Sequence, residues 1–183
     1  MSRVAVLLAE GFEEIEAITI IDVLRRADVE TVVVGVTGST VHGNHGIGVV
    51  TDQPIQTAAK GKWDMVVLPG GMPGAATLRD DARVQAMLRA QREAKVPLAA
   101  ICAAPFALAR ARLLDGKRAT SFPSFSDQLP GATYVEEDVV VDGDVITSRG
   151  PGTAMAFALA LVTALQGQAK ADATAGRMLY RPS

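Results

Sequence analysis

The chain has 183 residues, is 49% hydrophobic, and carries a formal net charge of −2 and one cysteine. That length can bury one full core, read as a single domain over 1–183, and the composition is that of an ordinary α/β protein. Near-neutral charge leaves no basic footprint for nucleic acid, and one cysteine excludes an internal disulfide.

Arg3 to Ala9 is a continuous apolar run that ends at Glu10-Gly11, as a fully buried strand ends at a turn. This run is also too short for a signal peptide or a membrane span, so the expected setting is the cytoplasm with no membrane partner. Glu13 to Arg26 has helical period, with Ala17, Ile20, Ile21 and Leu24 on one stripe. Thr31 to Val36 is β-branched and predicts a second buried strand, and the Gly- and Val-rich stretch Val41 to Thr51 predicts a hairpin. Asp64 to Leu68 predicts a strand stopped by Pro69-Gly70-Gly71, Asp81 to Ala94 a helix, and Leu98 to Ile101 a strand. Arg79, Arg83, Arg89 and Arg92, mixed with Asp80, Asp81 and Glu93, are placed along one helical segment as its solvated face. Tyr134 to Val141 and Asp144 to Thr147 bracket Asp142-Gly143, a hairpin signal. Thr153 to Leu165 predicts a long apolar helix and Ala169 to Met178 a short one. Strands alternating with helices predict a mainly parallel sheet covered on both faces, with functional loops at the carboxyl ends of its strands.

Three such loops carry the candidate chemistry. Cys102 lies between an apolar strand and Ala103-Ala104-Pro105, with proline in the first turn of the next helix. Ala100 and Ala104 flank it two residues away on each side, the small residues a nucleophile elbow needs. The helix N-terminus is expected to lower the thiol pKa. Read locally, a lone cysteine also fits a buried structural role. Gly70 and Gly71 follow a strand, where backbone N–H groups can approach an oxyanion closely, although a plain tight turn has the same pattern. Glu13, Glu14 and Glu16 open the first helix. Helix-dipole complementation suffices for Glu14, whereas Glu13 and Glu16 precede the apolar stripe, where a carboxylate is costly unless protonated or paired. His42 and His45 lie in the glycine-rich hairpin with no cysteine or acid at ligand spacing, so no metal is expected there. Neither G-x-G-x-x-G nor a phosphate loop is present, so no cofactor is expected.

Five segments taken together resemble the DJ-1/ThiJ/PfpI superfamily, and most closely its DJ-1 and bacterial YajL/ThiJ branch. They are Leu8-Ala9-Glu10-Gly11-Phe12-Glu13-Glu14-Ile15-Glu16, Asp22-Val23-Leu24-Arg25-Arg26-Ala27, Asp64-Met65-Val66-Val67-Leu68-Pro69-Gly70-Gly71, Ala99-Ala100-Ile101-Cys102-Ala103-Ala104-Pro105 and Thr147-Ser148-Arg149-Gly150-Pro151-Gly152-Thr153. They occur in order over nearly the whole chain. The resemblance implies a flavodoxin-like α/β three-layer sandwich with a nucleophile elbow, usually a homodimer. It implies Cys102 as the reactive cysteine, Glu16 as the acid that hydrogen-bonds it, Gly70, Gly71 and Ala103 as the lining of the oxyanion pocket, and Glu13 and Arg26 near the dimer interface and pocket rim.

Two departures stand out. DJ-1 proper has Thr-His-Pro beside the cysteine, where this chain has Ser121-Phe122-Pro123, as the YajL branch has Phe-Pro. His45, within Asn44-His45-Gly46, replaces an arginine that reaches across the dimer in that branch, and pairs similarly only when protonated. The implied activity is cysteine-dependent chemistry of the glyoxalase or deglycase type on reactive α-oxoaldehydes or their protein adducts, within a stress-response role. The alternative is a redox sensor or holdase chaperone using a Cys102 sulfinate. A peptidase or amidase is disfavoured because those relatives place histidine directly after the cysteine, where this chain has Ala103.

Overall fold

The structure, a computed structural model, describes residues 1–181. In chain order the elements are β1 (Arg3–Leu8), α1 (Glu14–Arg26), β2 (Glu30–Gly35), β3 (Thr40–His42), β4 (Gly48–Val50), β5 (Gln53–Pro54), α2 (Ile55–Ala58), β6 (Met65–Leu68), α3 (Gly74–Asp80), α4 (Ala82–Glu93), β7 (Leu98–Ile101), α5 (Pro105–Arg110), β8 (Arg118–Ala119), β9 (Thr133–Tyr134), β10 (Val139–Asp142), β11 (Val145–Ser148), α6 (Ala154–Gln166) and α7 (Gln168–Arg177). Short 3-10 turns cover Pro123–Gln128 and Pro151–Thr153.

Seven strands form one sheet in the order β10-β11-β7-β6-β1-β2-β5. Every neighbouring pair is parallel except β10–β11. The two-residue period of β1 divides the core. Ala5, Leu7 and Ala9 pack with residues of α2, α3, α4 and α5 on one face, and Val4, Val6 and Leu8 with α1, α6 and α7 on the other. This is the expected three-layer sandwich, and burial on both faces explains why β1 reads as an unbroken apolar run. No helix among the described residues is long and apolar enough to cross a membrane.

The chain leaves β1 toward β2 on one side, while β6, β7 and β11 build outward on the other. β1 and β6 thus flank the switch point of the sheet, where open α/β sheets form a crevice at the strand ends. The loops after β1, β6 and β7 meet there.

Three expectations are corrected. Tyr134 does not begin a long strand: it belongs to β9, which pairs with β8 in a separate two-stranded sheet, and the hairpin strand starts at Val139. The arginine-rich segment is two helices, broken at Asp81, whose carboxylate caps α4 by accepting from the Arg83 and Val84 N–H groups. The run Ala103 to Ala109 reads as one helix, but α5 begins at Pro105, leaving Ala103 and Ala104 in the turn.

Candidate active site

Cys102 has φ +64°, the left-handed conformation that turns the chain sharply from β7 toward α5. Its N–H donates to the Ser148 carbonyl at 3.0 Å, and its carbonyl accepts from the Phe122 N–H at 2.9 Å. Ala100 and Ala104 are fully buried on either side, so the small-x-Cys-x-small pattern has its expected steric use. The backbone N–H groups of Ala103 and Gly71 face the sulfur.

Glu16 sits in the first turn of α1 with no exposed surface. Its Oε2 accepts from the Gly70 N–H at 2.7 Å. Its carboxyl lies against Cys102, yet Oε1 is buried with no partner of good hydrogen-bond geometry. A bare buried carboxylate oxygen is costly, and a proton on Oε1 would turn it into a donor toward the sulfur. Glu13 caps α1: its Oε2 accepts from the Glu16 N–H at 2.8 Å, and its own N–H donates to the Gly70 carbonyl at 2.9 Å. Glu13 therefore locks Glu16 to the β6 loop.

Burial pushes Glu16 up to about 7, against the Gly70 hydrogen bond. Burial, followed by the Glu16 charge and hydrogen bond, pushes the Cys102 thiol up to about 12, against the Ala103 and Gly71 amides. The expected lowering of the thiol pKa is thus corrected: α5 begins three residues away, and burial, followed by the adjacent Glu16 acid, outweighs it. The two side chains lie in contact, so their titrations are coupled, and burial pushes both upward.

The other residues singled out from the sequence fall differently. Gly71 and Ala103 turn their amides toward the Cys102 sulfur. Gly70 lines the site, but its N–H is spent on Glu16, so it is corrected as an oxyanion donor. A Cβ at Gly70 would stand 2.6 Å from the Cys102 Cβ, which is why the position is glycine. Arg26 ends α1, ten residues from Glu16 and hence about 15 Å along the axis, paired with Asp22; it does not reach this pocket rim within its own chain. His45 lies 2.9 Å from Glu14 and His42 lies 3.3 Å from Glu10, so neither faces Cys102. Glu13, Glu14 and His45 bring three polar atoms within 4.8 Å of one another. Acids therefore do meet the histidines through the fold, and their oxygens accept from backbone amides and face the His45 imidazole.

The local sequence assigns no role to Ser148 or Phe122, whose backbones hold Cys102 on both sides; the resemblance points toward them, through the Thr147–Thr153 match and the Ser121-Phe122-Pro123 departure. Phe122 is 42% exposed and packs over Gly150 beside an open cleft of about 270 Å³ that also contains Arg149 and Thr153. A larger groove of about 480 Å³, between β10, α6 and α7, contains neither Cys102 nor Glu16.

A family model described as the DJ-1/PfpI family matches residues 2–164. Protein dj-1beta of Drosophila melanogaster is 42% identical over 183 residues, covering 98% of each chain. Protein DJ-1 homolog A of Arabidopsis thaliana is 43% identical over 171 residues, covering 92% of this chain; this chain spans 44% of that protein's length. A Caenorhabditis elegans protein named glutathione-independent glyoxalase DJR-1.2 is 32% identical over 173 residues, covering 93% of this chain and 92% of that one. Among solved structures, oxidized Toxoplasma gondii DJ-1 superposes with a TM-score of 0.96 at 38% identity, covering 100% of both chains. With its sheet order, its cysteine elbow and these matches agreeing, the chain belongs to the DJ-1/PfpI family.

Proposed function

We propose that this protein is a cysteine-dependent enzyme acting without glutathione on α-oxoaldehydes such as methylglyoxal, or on their protein adducts. The observation that carries the reading is the buried, unpartnered Glu16 Oε1 beside Cys102, with the Gly71 and Ala103 amides facing the sulfur. The Cys102 sulfur adds to the aldehyde carbon, and the oxygen, held by those amides, takes the thiol proton to give a hemithioacetal. Glu16, as the carboxylate, removes the proton from that carbon and returns it to the adjacent carbonyl carbon through an enediol, while the hemithioacetal hydroxyl proton passes to the neighbouring oxygen. The product is an α-hydroxy thioester, which water cleaves to an α-hydroxy acid and free thiol. Oxidation of one carbon balances reduction of its neighbour, so no external redox partner enters. The name of the Caenorhabditis elegans relative supports this reaction class. The deciding experiment is conversion of methylglyoxal to lactate by purified protein without glutathione. Turnover in the wild type and none in Cys102→Ser is expected; no turnover in either, or equal turnover, overturns the reading.

A second reading, in which a Cys102 sulfinate signals oxidative stress without turnover, is favoured by the protonated form of Glu16, which can donate to a sulfinate oxygen. The oxidized form of the Toxoplasma gondii relative supports it. The cytoplasmic setting and the homodimer belong to the same proposal.

A further inference from the structure

Both histidines of the chain sit on the β3–β4 hairpin, and each faces a carboxylate from the segment joining β1 to α1 or from the first turn of α1. His42 Nδ1 lies 3.3 Å from Glu10 Oε1, and the His42 N–H donates to Glu10 Oε2 at 3.1 Å. His45 Nδ1 lies 2.9 Å from Glu14 Oε2, and the His45 N–H donates to Glu14 Oε1 at 2.5 Å. The Ile47 N–H reaches the same oxygen at 3.5 Å. The Glu14 carboxyl fills a socket in the hairpin turn: a Cβ on Gly43 would stand 2.3 Å from it. Two backbone bonds run beside these pairs, Gly11 N–H to the His42 carbonyl and Asn44 N–H to the Phe12 carbonyl, each 2.8 Å.

Beyond these contacts, Val41 and Val49 seat the hairpin on the core within its own chain. It forms its own two-stranded sheet, separate from the central one, and among residues 40–50 only Val41 is buried. The segment it grips also carries the Glu13 cap of α1, which fixes the Glu16 N–H and the Gly70 carbonyl.

We propose that His45 is a positioning residue for the Cys102–Glu16 pair: protonated, it clamps the hairpin onto the segment that aligns Glu16, and neutral, it loosens that grip. The inference rests on the reading of Cys102 and Glu16 as the reactive pair. The charged groups facing His45 are Glu14 and Glu13, and the one facing His42 is Glu10. Among the described residues no lysine or arginine pairs with any of these three acids, so the imidazoles are their only cationic partners. The hydrogen bond to Glu14, then its charge, raises the His45 pKa. Burial raises that of Glu14, but the His45 side-chain and backbone hydrogen bonds outweigh it and leave it lowered. The His45–Glu14 clamp is therefore fully formed below the ordinary imidazole value of about 6.5, down to the carboxylate range, and weakens as pH rises through the raised value. A neutral imidazole keeps the Nδ1 hydrogen bond but loses the charge.

The test measures amide exchange of Gly11, Asn44, His45 and Ile47 by NMR on the purified protein at about pH 6.0 and 8.5, corrected for intrinsic rates, with Cys102 alkylation compared among variants at a single pH. Protection about twofold to fivefold greater at the lower pH is expected, the range of an exposed ion pair. His45→Arg is expected to keep the low-pH protection at both values, and His45→Gln to show the high-pH behaviour at both. At pH 6.0 Cys102 alkylation should be altered in His45→Gln and restored to the wild-type rate in His45→Arg. Protection independent of pH, or Arg and Gln variants that behave alike, would overturn the clamp. Unaltered alkylation in His45→Gln would overturn the positioning role. None of these readouts depends on turnover of an oxoaldehyde, so the clamp and the proposed reaction fail separately.

Discussion

Gly70 donates its N–H to Glu16 Oε2 at 2.7 Å, and the space where its side chain would stand is the space between the acid and the thiol. One peptide therefore sets the distance between Glu16 and Cys102. In Gly70→Ala the new Cβ would lie 2.6 Å from the Cys102 Cβ, 2.8 Å from Glu16 Oε2 and 3.0 Å from the Ile101 carbonyl oxygen. Two of these neighbours are backbone or the rigid base of a side chain, so the β6 loop must shift. The expected cost is about 1–3 kcal/mol in denaturant unfolding, with loss of normal Cys102 reactivity. A variant with wild-type stability and alkylation rate would contradict this packing.

The pH profile of alkylation should report the pair rather than an isolated thiol. With Glu16 near 7 and the thiol near 12, the wild-type rate should inflect around neutrality, where the pair loses its first proton. Glu16→Gln removes that ionisation and should leave a single alkaline inflection. A wild-type profile with no inflection between about 6 and 8 would show that the two groups titrate independently.

Stability should carry the same signature. The folded-state pKa of Glu16, about 7, lies above its ordinary 4.5, so the native state binds the proton more tightly than the unfolded chain does. The contribution is fully present below 4.5 and is lost as pH rises through about 7, with an upper bound on the order of 3 kcal/mol. Glu16→Leu lacks this loss. Its denaturation midpoint should therefore gain on that of the wild type between pH 5 and pH 8, and a constant difference between the two would refute the assignment.

Much of this site is legible in the sequence. The apolar run before Cys102, the flanking alanines and Pro105 are local signals, and the elbow follows from steric needs within a few residues. Glu16 is visible as an acid on an apolar stripe, but the periodicity alone does not separate it from Glu13, because both lie one turn before the core-facing residues. The structure separates them by hydrogen bonding: Glu13 caps the helix, and Glu16 turns inward. Contacts between distant segments leave no local signal. His45 meets Glu14 across 31 residues, and the Ser148 carbonyl that holds the Cys102 N–H belongs to a strand that reads only as half of a hairpin. The thiol pKa escapes a local reading for the same reason, since the dominant influences are burial and an acid brought from another loop rather than the adjacent helix. Residues 134–141 are rich in valine and read as one strand, yet Tyr134 pairs with β8 and only Val139 onward joins the central sheet.

The exposed apolar residues Ile15 and Ile18 on α1, with Ile47 and Val50 on the hairpin, form one candidate dimer face, tied together where Glu14 meets the Ile47 N–H. Val50 is 76% exposed and Ile15 58%, more apolar surface than a helix and an adjoining strand edge ordinarily leave bare. Sedimentation at micromolar concentration should give a dimer, with Ile18→Glu and Val50→Glu shifted toward monomer. A wild-type monomer would contradict the assignment.

Peroxide oxidation tests the acid most directly. A neutral Glu16 donates a hydrogen bond to a sulfinate oxygen at Cys102, whereas a carboxylate would repel it. Burial holds Glu16 up near neutrality, so the protonated form is populated at pH 7 and favoured further once a second negative group forms beside it. Glu16→Gln keeps a donor of lower acidity and a weaker hydrogen bond. Glu16→Leu keeps the volume, removes the donor and leaves the Gly70 N–H unpaired. The expected order of sulfinate yield by intact mass is therefore wild type, then Gln, then Leu. Because sulfinate oxidises further when it is not held, the sulfonate peak should rise in the reverse order. Fluorescence or circular dichroism at the assay pH distinguishes a lost hydrogen bond from a lost fold. Equal sulfinate yields in three folded proteins would reduce Glu16 to a helix-dipole residue and remove the acid from the proposed chemistry.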